Sequence, residues 1–469
     1  MNIRAVEEKN IKTRSSELLP STDSVAYFHD KDEFPNFYNR LHQAGNEQNT
    51  ISFLEVYFEK YPLLRPLLIQ LYYQLMNNTG QIHLAKEICR IYSEVSEVLL
   101  NIGQSKLGVP PIFESQYYSH GTRSLASEAA YTHHLTQLGE LSTKPVFCLQ
   151  MHKALHKRKE ELEFINSFLP YLDDVFEVVT DENKSRQYFE MRNVAPFNST
   201  FYARSNNIFG HTNNFFGVMY HELLAANLNP WAFKLKGITE DTALKFLKDL
   251  GLKKRDEFVV IHFRENVEND SFHNKYLNHN PLNYIDAIDW LLSIGLKVVR
   301  IGNANMTPLP EKKGLIDLTR VTCPGHVSIY LCAAAKFYFG SCAGPYSLSS
   351  TFGVPCCLTS QMPCRPSRPN DFVQTLQFRD IRTKQLIPIK HWEPVGLSVE
   401  AQYTHFMRAG YEPSLPTHTQ NLRLIKEMLE YLSGGAILSL NQAAKEQKKN
   451  YKMWGGVCNE TLLYINNKN

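Results

Sequence analysis

Phe258-Val259-Val260-Ile261-His262-Phe263-Arg264-Glu265-Asn266 is the stretch from which the fold of this chain is read. Four apolar residues in a row, rich in β-branched types, are what a strand buried on both faces requires. The run stops abruptly in polar groups. Side chains alternate along a strand, so His262 and Arg264 fall on one face of its end. Working outward, Thr239 is a plausible N-cap for a helix over 242–250, and Tyr284 to Ser293 reads as a helix closed by Gly295. Leu296 to Ile301 is the next strand, Val327 to Ala335 a helix, Phe337 to Gly340 a strand, and Val354 to Leu358 another. Upstream, Val146 to Leu149 reads as a strand, Leu162 to Leu172 as a helix and Val175 to Val179 as a strand. Strands alternating with helices predict parallel sheets with helices on both faces.

The 469 residues imply two or three domains at roughly 100–200 residues each. A hydrophobic share of 43% and a charged share of 21% are those of a globular protein, and a net charge of +3 demands no nucleic-acid partner. The opening residues MNIRAVEEKNIKTRSSELLP carry no apolar stretch, and no window approaches the ~18 apolar residues of a membrane helix. A cytoplasmic protein is expected, with peripheral contact at the inner membrane left open. The nine cysteines are scattered, and Cys356, Cys357 and Cys364 lack paired zinc spacing. They are expected to be reduced, with Cys332 and Cys357 filling cores and no metal site.

Four divisions follow. Residues 1–110 read as helical: Leu67, Leu68, Leu71 and Leu75, then the break Asn77-Asn78-Thr79-Gly80, then Ala85, Ile88, Cys89 and Tyr92. This resembles one tetratricopeptide-like hairpin with no second copy, a cap rather than an array. Residues 111–235 and 236–415 read as two Rossmann-like α/β units, and 416–469 as C-terminal helices beginning near Thr417.

Polar clusters close four strands of the second α/β unit, where ligands bind in such sheets. In the first, Arg264 offers a planar fork suited to a diphosphate, or else a strand-end salt bridge. In the second, Val299-Arg300-Ile301-Gly302-Asn303, Arg300 either contacts a ligand or pairs with Asp317, and Asn303 can present an amide. In the third, Asp317 either accepts from a base or ribose hydroxyl or caps the turn after it. The fourth runs from Gly340 to Gly353. Its small residues let backbone N–H groups approach phosphate, and a helix starting near Pro345 would add a partial positive charge. Ser341, Gly344, Tyr346, Ser347 and Ser350 are the candidate donors there. Walker A and dinucleotide fingerprints are both absent.

These residues carry a resemblance. His262-Phe263-Arg264, Asn283-Tyr284-Ile285-Asp286-Ala287-Ile288, Gly295 to Gly302, Ile316-Asp317, Gly340 to Gly344 and Phe352-Gly353-Val354-Pro355 stand in order over about 110 residues. The set resembles predicted bacterial glycosyltransferases found among cell-surface polysaccharide genes. The resemblance extends weakly upstream through Tyr118-Ser119-His120-Gly121 and the segment Lys153 to Asp173. After the arginine that family places an aspartate, where this chain has Glu265. The His-x-Arg strand is also similar to the donor site of GDP-fucose fucosyltransferases.

The resemblance implies a GT-B-like pair of Rossmann-like domains, with the donor on 236–415 and the acceptor on 111–235. It implies transfer of a sugar from a nucleotide-sugar donor, GDP-linked among the options, to a glycan, lipid-linked or protein acceptor. No metal or other cofactor is implied. Arg264 would stabilise the leaving diphosphate, His262 or Glu265 would act as general base, and His120, His211 and Glu222 would face the acceptor. Two other readings stand beside this one. The helical N-terminus could bind a protein partner on a non-catalytic scaffold, or the same architecture could serve a sugar-phosphate phosphorylase or epimerase.

Overall fold

The run at Phe258 forms a strand whose side chains alternate between two cores. Val260, with Val299, Tyr338, Cys356 and Val373 of its sheet neighbours, enters one core, while Val259 and Ile261, with Val298, Phe337, Phe339, Cys357 and Phe372, enter the other. Both faces of the sheet are therefore covered, which is why the run contains no polar residue before His262. The structure, a computed structural model, describes residues 110–113, 124–139, 141, 143–150, 159–191, 196–197, 220, 223–265, 278–362, 367–387, 406–434 and 456–457. The expected N-terminal helices of 1–110 lie outside these, as do His120, His211 and Glu222.

The strands are β1 (Ile112–Phe113), β2 (Val146–Cys148), β3 (Glu177–Val179), β4 (Pro196–Phe197), β5 (Phe258–His262), β6 (Lys297–Arg300), β7 (Leu315–Asp317), β8 (Phe337–Gly340), β9 (Cys356–Gln361), β10 (Asp371–Thr375), β11 (Gln377–Asp380), β12 (Tyr411–Ser414) and β13 (Gly456–Val457). The helices are α1 (Ser124–Gln137), α2 (Lys159–Val175), α3 (Glu182–Glu190), α4 (Gly237–Asp249), α5 (Ile285–Ser293), α6 (Gly325–Ala334), α7 (Gly344–Thr351) and α8 (His418–Leu432). A four-stranded parallel sheet runs β3-β2-β1-β4, and a seven-stranded parallel sheet runs β13-β10-β9-β8-β5-β6-β7. The chain is thus mixed α/β with two parallel sheets. An antiparallel pair, β11 with β12, leaves the larger sheet after β10, and the sequence reading did not anticipate it. Among the described residues no helix is long and apolar enough to cross a membrane.

Several expected boundaries move. Val175 ends α2 rather than opening a strand, and β3 begins at Glu177. Thr239 does not cap a helix. It lies inside α4, buried, with its hydroxyl accepting from Tyr171 at 3.0 Å, and Lys236 holds the cap position. The tertiary partner outweighs the local preference of threonine for a cap. Pro281–Tyr284 forms a 3₁₀ turn ahead of α5, nucleated by the Asn280 side chain accepting from the Leu282 amide. The strand expected over 354–358 starts later, at Cys356, and runs to Gln361. Thr417 caps α8 in a reciprocal box with Gln420. Further on, within the stretch 416–469 expected to be helical, Gly456–Val457 pairs with β10 as β13 at the edge of the larger sheet, and residues 435–455 and 458–469 lie outside the described residues.

Helices α5 and α8 cover one face of the larger sheet through Ala287, Ile288, Leu291, Leu424, Ile425 and Met428. The opposite core contains α4, α6 and α7, and continues without a break into α1, α2 and the Phe113 and Phe147 face of the smaller sheet. Cys332 fills that core and Cys357 the other, both at 0% exposure. Two contacts fix the seam. A Cβ on Gly325 would lie 2.7 Å from the Phe164 Cα and 2.8 Å from the Glu163 carbonyl, so α6 meets α2 backbone to backbone. His134 is fully buried, with Nε2 2.7 Å from the Pro230 carbonyl and its ring edge-on to Tyr220. A carbonyl only accepts, so Nε2 carries the proton. Burial, with lesser effects from the charges of His133 and Arg368, lowers the His134 pKa to about 3 against the pull of that carbonyl.

Gly325→Ala is expected to destabilise by about 1–3 kcal/mol in chemical denaturation, because backbone cannot yield as a side-chain tip would; a neutral or stabilising result would refute the close crossing. Acid adds a second test. Below pH 6.5 the unfolded chain takes up a proton that folded His134 refuses until about pH 3, so stability drains away as pH falls through that window. His134→Gln keeps an amide donor near the Nε2 position and removes the titration. Between pH 6.5 and 4 it should lose roughly 3 kcal/mol less than the parent, at about 1.4 kcal/mol per pKa unit. Equal acid slopes would contradict a buried neutral imidazole.

Candidate functional site

Strand order locates the site. From β5 the chain moves outward to β6 and β7, then returns to lay down β8, β9 and β10 on the other side of β5. The order reverses between β5 and β8, and the crevice outside the carboxyl ends of strands at such a switch point is where α/β sheets bind ligands. His262 pairs in register with Gly340 there. The stretch 262–265 and the loop 340–344 are thereby brought together, as their positions after two apolar strands imply.

The approach is unusually close. A Cβ on residue 340 would sit 2.0 Å from the His262 carbonyl oxygen, so only glycine fits, and its φ of +154° suits glycine as well. The next residue ties the strands together. The Ser341 amide donates to the His262 carbonyl at 3.1 Å, the Arg264 amide donates to the Ser341 hydroxyl at 3.1 Å, and Ser341 is fully buried. His262 is 6% exposed, with Nδ1 2.9 Å from the Ile301 carbonyl. That contact places the proton on Nδ1 and makes Nε2 the basic nitrogen. Arg264 keeps partial exposure.

Helix α7 opens four residues after Gly340, with Pro345 in its first turn and no side chain capping it from Ala343. Its first-turn amides and dipole make that end favourable to an anion. Gly344 and Ser347 are half-buried at this end. Tyr346 and Ser350 are buried in other duties: the Tyr346 hydroxyl donates to Asp371 at 2.7 Å and the Ser350 hydroxyl to the Ser347 carbonyl at 3.2 Å. Asn303 is exposed, its side chain accepting from the Asn305 amide in a local turn. One residue the sequence reading passed over also lies here. The His279 amide donates to the Arg264 carbonyl at 2.7 Å, and its Nδ1 is 2.6 Å from the Tyr284 hydroxyl. The only sequence signal was a histidine just ahead of the Asn280-Pro281 helix start.

Arg300, Glu265 and Asp317 form an ionic triad in which Arg300 and Glu265 are buried and Asp317 is half-buried. Arg300 has no exposed surface; its guanidinium donates to Glu265 at 2.5 Å, Asp317 at 3.1 Å and the Thr307 carbonyl at 2.5 Å. The second Glu265 oxygen accepts from the Thr307 amide at 2.8 Å. Burial works against the charge on Asp317, yet the Thr319 hydroxyl and amide, the Leu309 amide and Arg300 together hold its carboxyl below the usual range. Asp317 also caps the turn after it through Thr319. Of the alternatives for Arg300, pairing with Asp317 is the one seen, and the depth of its side chain leaves no surface for direct contact with a donor. Glu265 has both oxygens engaged, one by Arg300 and the other by the Thr307 amide. Replacing Arg300 with Leu leaves the buried Glu265 and the half-buried Asp317 without their shared cation. Equilibrium denaturation should show a loss of about 3–5 kcal/mol, with part recovered by adding Glu265→Gln. A loss below about 1 kcal/mol would mean that the triad behaves as a surface pair.

Comparison with known proteins gives little to set beside this geometry. No family model matches the chain, and no curated protein matches it. Among solved structures, the dodecameric iron-containing heptosyltransferase TibC in complex with ADP-D-β-D-heptose is similar at 15% identity over 58% of this chain and 74% of that chain, with a TM-score of 0.28. That likeness is too distant for a site or an activity to transfer.

Proposed function

We propose that this chain is a glycosyltransferase that moves a sugar from a nucleotide-sugar donor to a hydroxyl acceptor, with a GT-B-like pair of Rossmann-like units. The observation that carries the reading is the convergence at one switch point of a partly exposed arginine, a histidine of fixed tautomer and an uncapped helix N-terminus. Those are the groups a diphosphate leaving from a sugar requires. The ordered motifs shared with surface-polysaccharide glycosyltransferases supply the reaction type.

In this reading the donor diphosphate lies against the first turn of α7, near Gly344 and Ser347, with Arg264 beside it. The basic Nε2 of His262 removes the proton of the acceptor hydroxyl as that oxygen bonds to the anomeric carbon. The bond from that carbon to the diphosphate breaks, the electron pair leaves with the diphosphate, and Arg264 with the helix dipole stabilises the added charge. Glu265, Arg300 and Asp317 act by holding the loop from 302 to 309 and not by touching the reacting atoms. His120, His211 and Glu222 are assigned to the acceptor side, with a glycan, lipid-linked or protein acceptor.

The test is a thermal-shift screen of the full chain against GDP, UDP, ADP, CMP and their sugar conjugates. One nucleoside diphosphate is expected to raise the melting temperature by mass action. Arg264→Ala should weaken that ligand about tenfold or more, as loss of a hydrogen bond to a charged group does, while the unliganded protein still melts in one cooperative transition. A flat response to every nucleotide at millimolar concentration would sink the proposal.

A further inference from the structure

His279 presents a feature the proposed chemistry does not use. Its imidazole is 6% exposed, and Nε2 has no hydrogen-bond partner, although Nδ1 is well served by the Tyr284 hydroxyl at 2.6 Å. The residue is tied to Arg264 by the hydrogen bond that its backbone N–H donates to the Arg264 carbonyl. Tyr284 is itself locked, its ring stacked on Phe263 at 3.7 Å and 18° and 1% exposed. Burial drives the Tyr284 pKa well up, with Thr359 and Asn421 offsetting part of the rise, so the phenol keeps its proton. That hydroxyl also meets the Thr359 and Asn421 side chains. With Nδ1 as the acceptor of the phenol proton, the imidazole hydrogen resides on Nε2. Burial and the nearby charge of His262 hold His279 at a pKa of about 4, so it is a neutral donor at physiological pH. A buried N–H without an acceptor costs stability, and such groups are rare in folded proteins.

We infer that His279 is a ligand-binding residue whose Nε2–H donates to an oxygen of a phosphate-class anion held beside Arg264 at the β5–β8 switch point. The inference rests on the reading of that crevice as a diphosphate site, and it adds a neutral donor to the charged one. Tyr284 is the positioning residue, because its hydroxyl dictates which imidazole nitrogen carries the hydrogen. A neutral N–H at this depth avoids the desolvation that a buried cation beside Arg264 would require.

The experiment is calorimetric titration of the full chain with inorganic pyrophosphate. The parent should bind. His279→Ala should bind about tenfold to a hundredfold more weakly, while His279→Gln, which places an amide N–H near the Nε2 position, should stay within about threefold of the parent. Pyrophosphate bound equally by His279→Ala and the parent, but lost in Arg264→Ala, overturns this inference and leaves the glycosyltransferase reading standing. A parent that binds neither pyrophosphate nor any nucleoside diphosphate overturns both. Should His279→Ala fail to fold, long-range ¹H–¹⁵N spectra of the histidine-labelled parent give the answer, with His279 assigned from the Gln variant. An Nε2–H tautomer that shifts on adding pyrophosphate is expected; an Nδ1–H tautomer, or no shift, overturns the inference.

Discussion

The approach of β5 to β8 at His262 and Gly340 is the constraint on which the rest of the site depends. A side chain at 340 would collide with a carbonyl oxygen, so no repacking of neighbours could relieve it. With glycine there, the Ser341 amide reaches the His262 carbonyl, the Ser341 hydroxyl receives the Arg264 amide, and α7 starts within the same crevice. His262 is oriented from the other side by Ile301. Three strands thus aim one polar cluster through backbone contacts, which are stiffer than side-chain contacts.

Charge is then divided between two levels. Below, the Glu265–Arg300–Asp317 group carries two carboxylates to one guanidinium, with the surplus spread over amides from Thr307, Leu309 and Thr319. Such groups contribute little net stability compared with an apolar packing, but they cannot be half-removed. Above, Arg264 keeps solvent contact. The cation suited to a ligand and the cation suited to structure are consecutive readings of one pattern, an arginine ending an apolar strand, and burial alone separates them.

That separation shows what the sequence could and could not convey. Continuous apolar runs such as Phe258–Ile261 and Phe337–Phe339 announced buried parallel strands, because a face with no polar residue has nowhere else to go. The helix at Thr417 was legible because its cap is local. Thr239 misled because Tyr171, 68 residues away, claims its hydroxyl. His279 was silent for a related reason. Its meaning comes from Tyr284 across a 3₁₀ turn and from Arg264 across a stretch of fifteen positions, and neither spacing has a helical or strand period. Arg300 could be placed at a strand end from sequence, but its complete burial depends on loops whose path no short pattern encodes.

The core that runs from the smaller sheet through α1, α2, α6 and α7 into the larger sheet has a consequence for how the chain folds. Two α/β units with separate sheets are usually pictured as modules that fold alone and dock later. Here the helices between the sheets present apolar surface to both, and the α2–α6 crossing admits no water-filled gap. Neither half can satisfy its own surface first, so the described sheets are expected to gain and lose structure as one cooperative unit. Selection acting on a buried position of α1 or α2 is therefore felt as the stability of the crevice on the larger sheet.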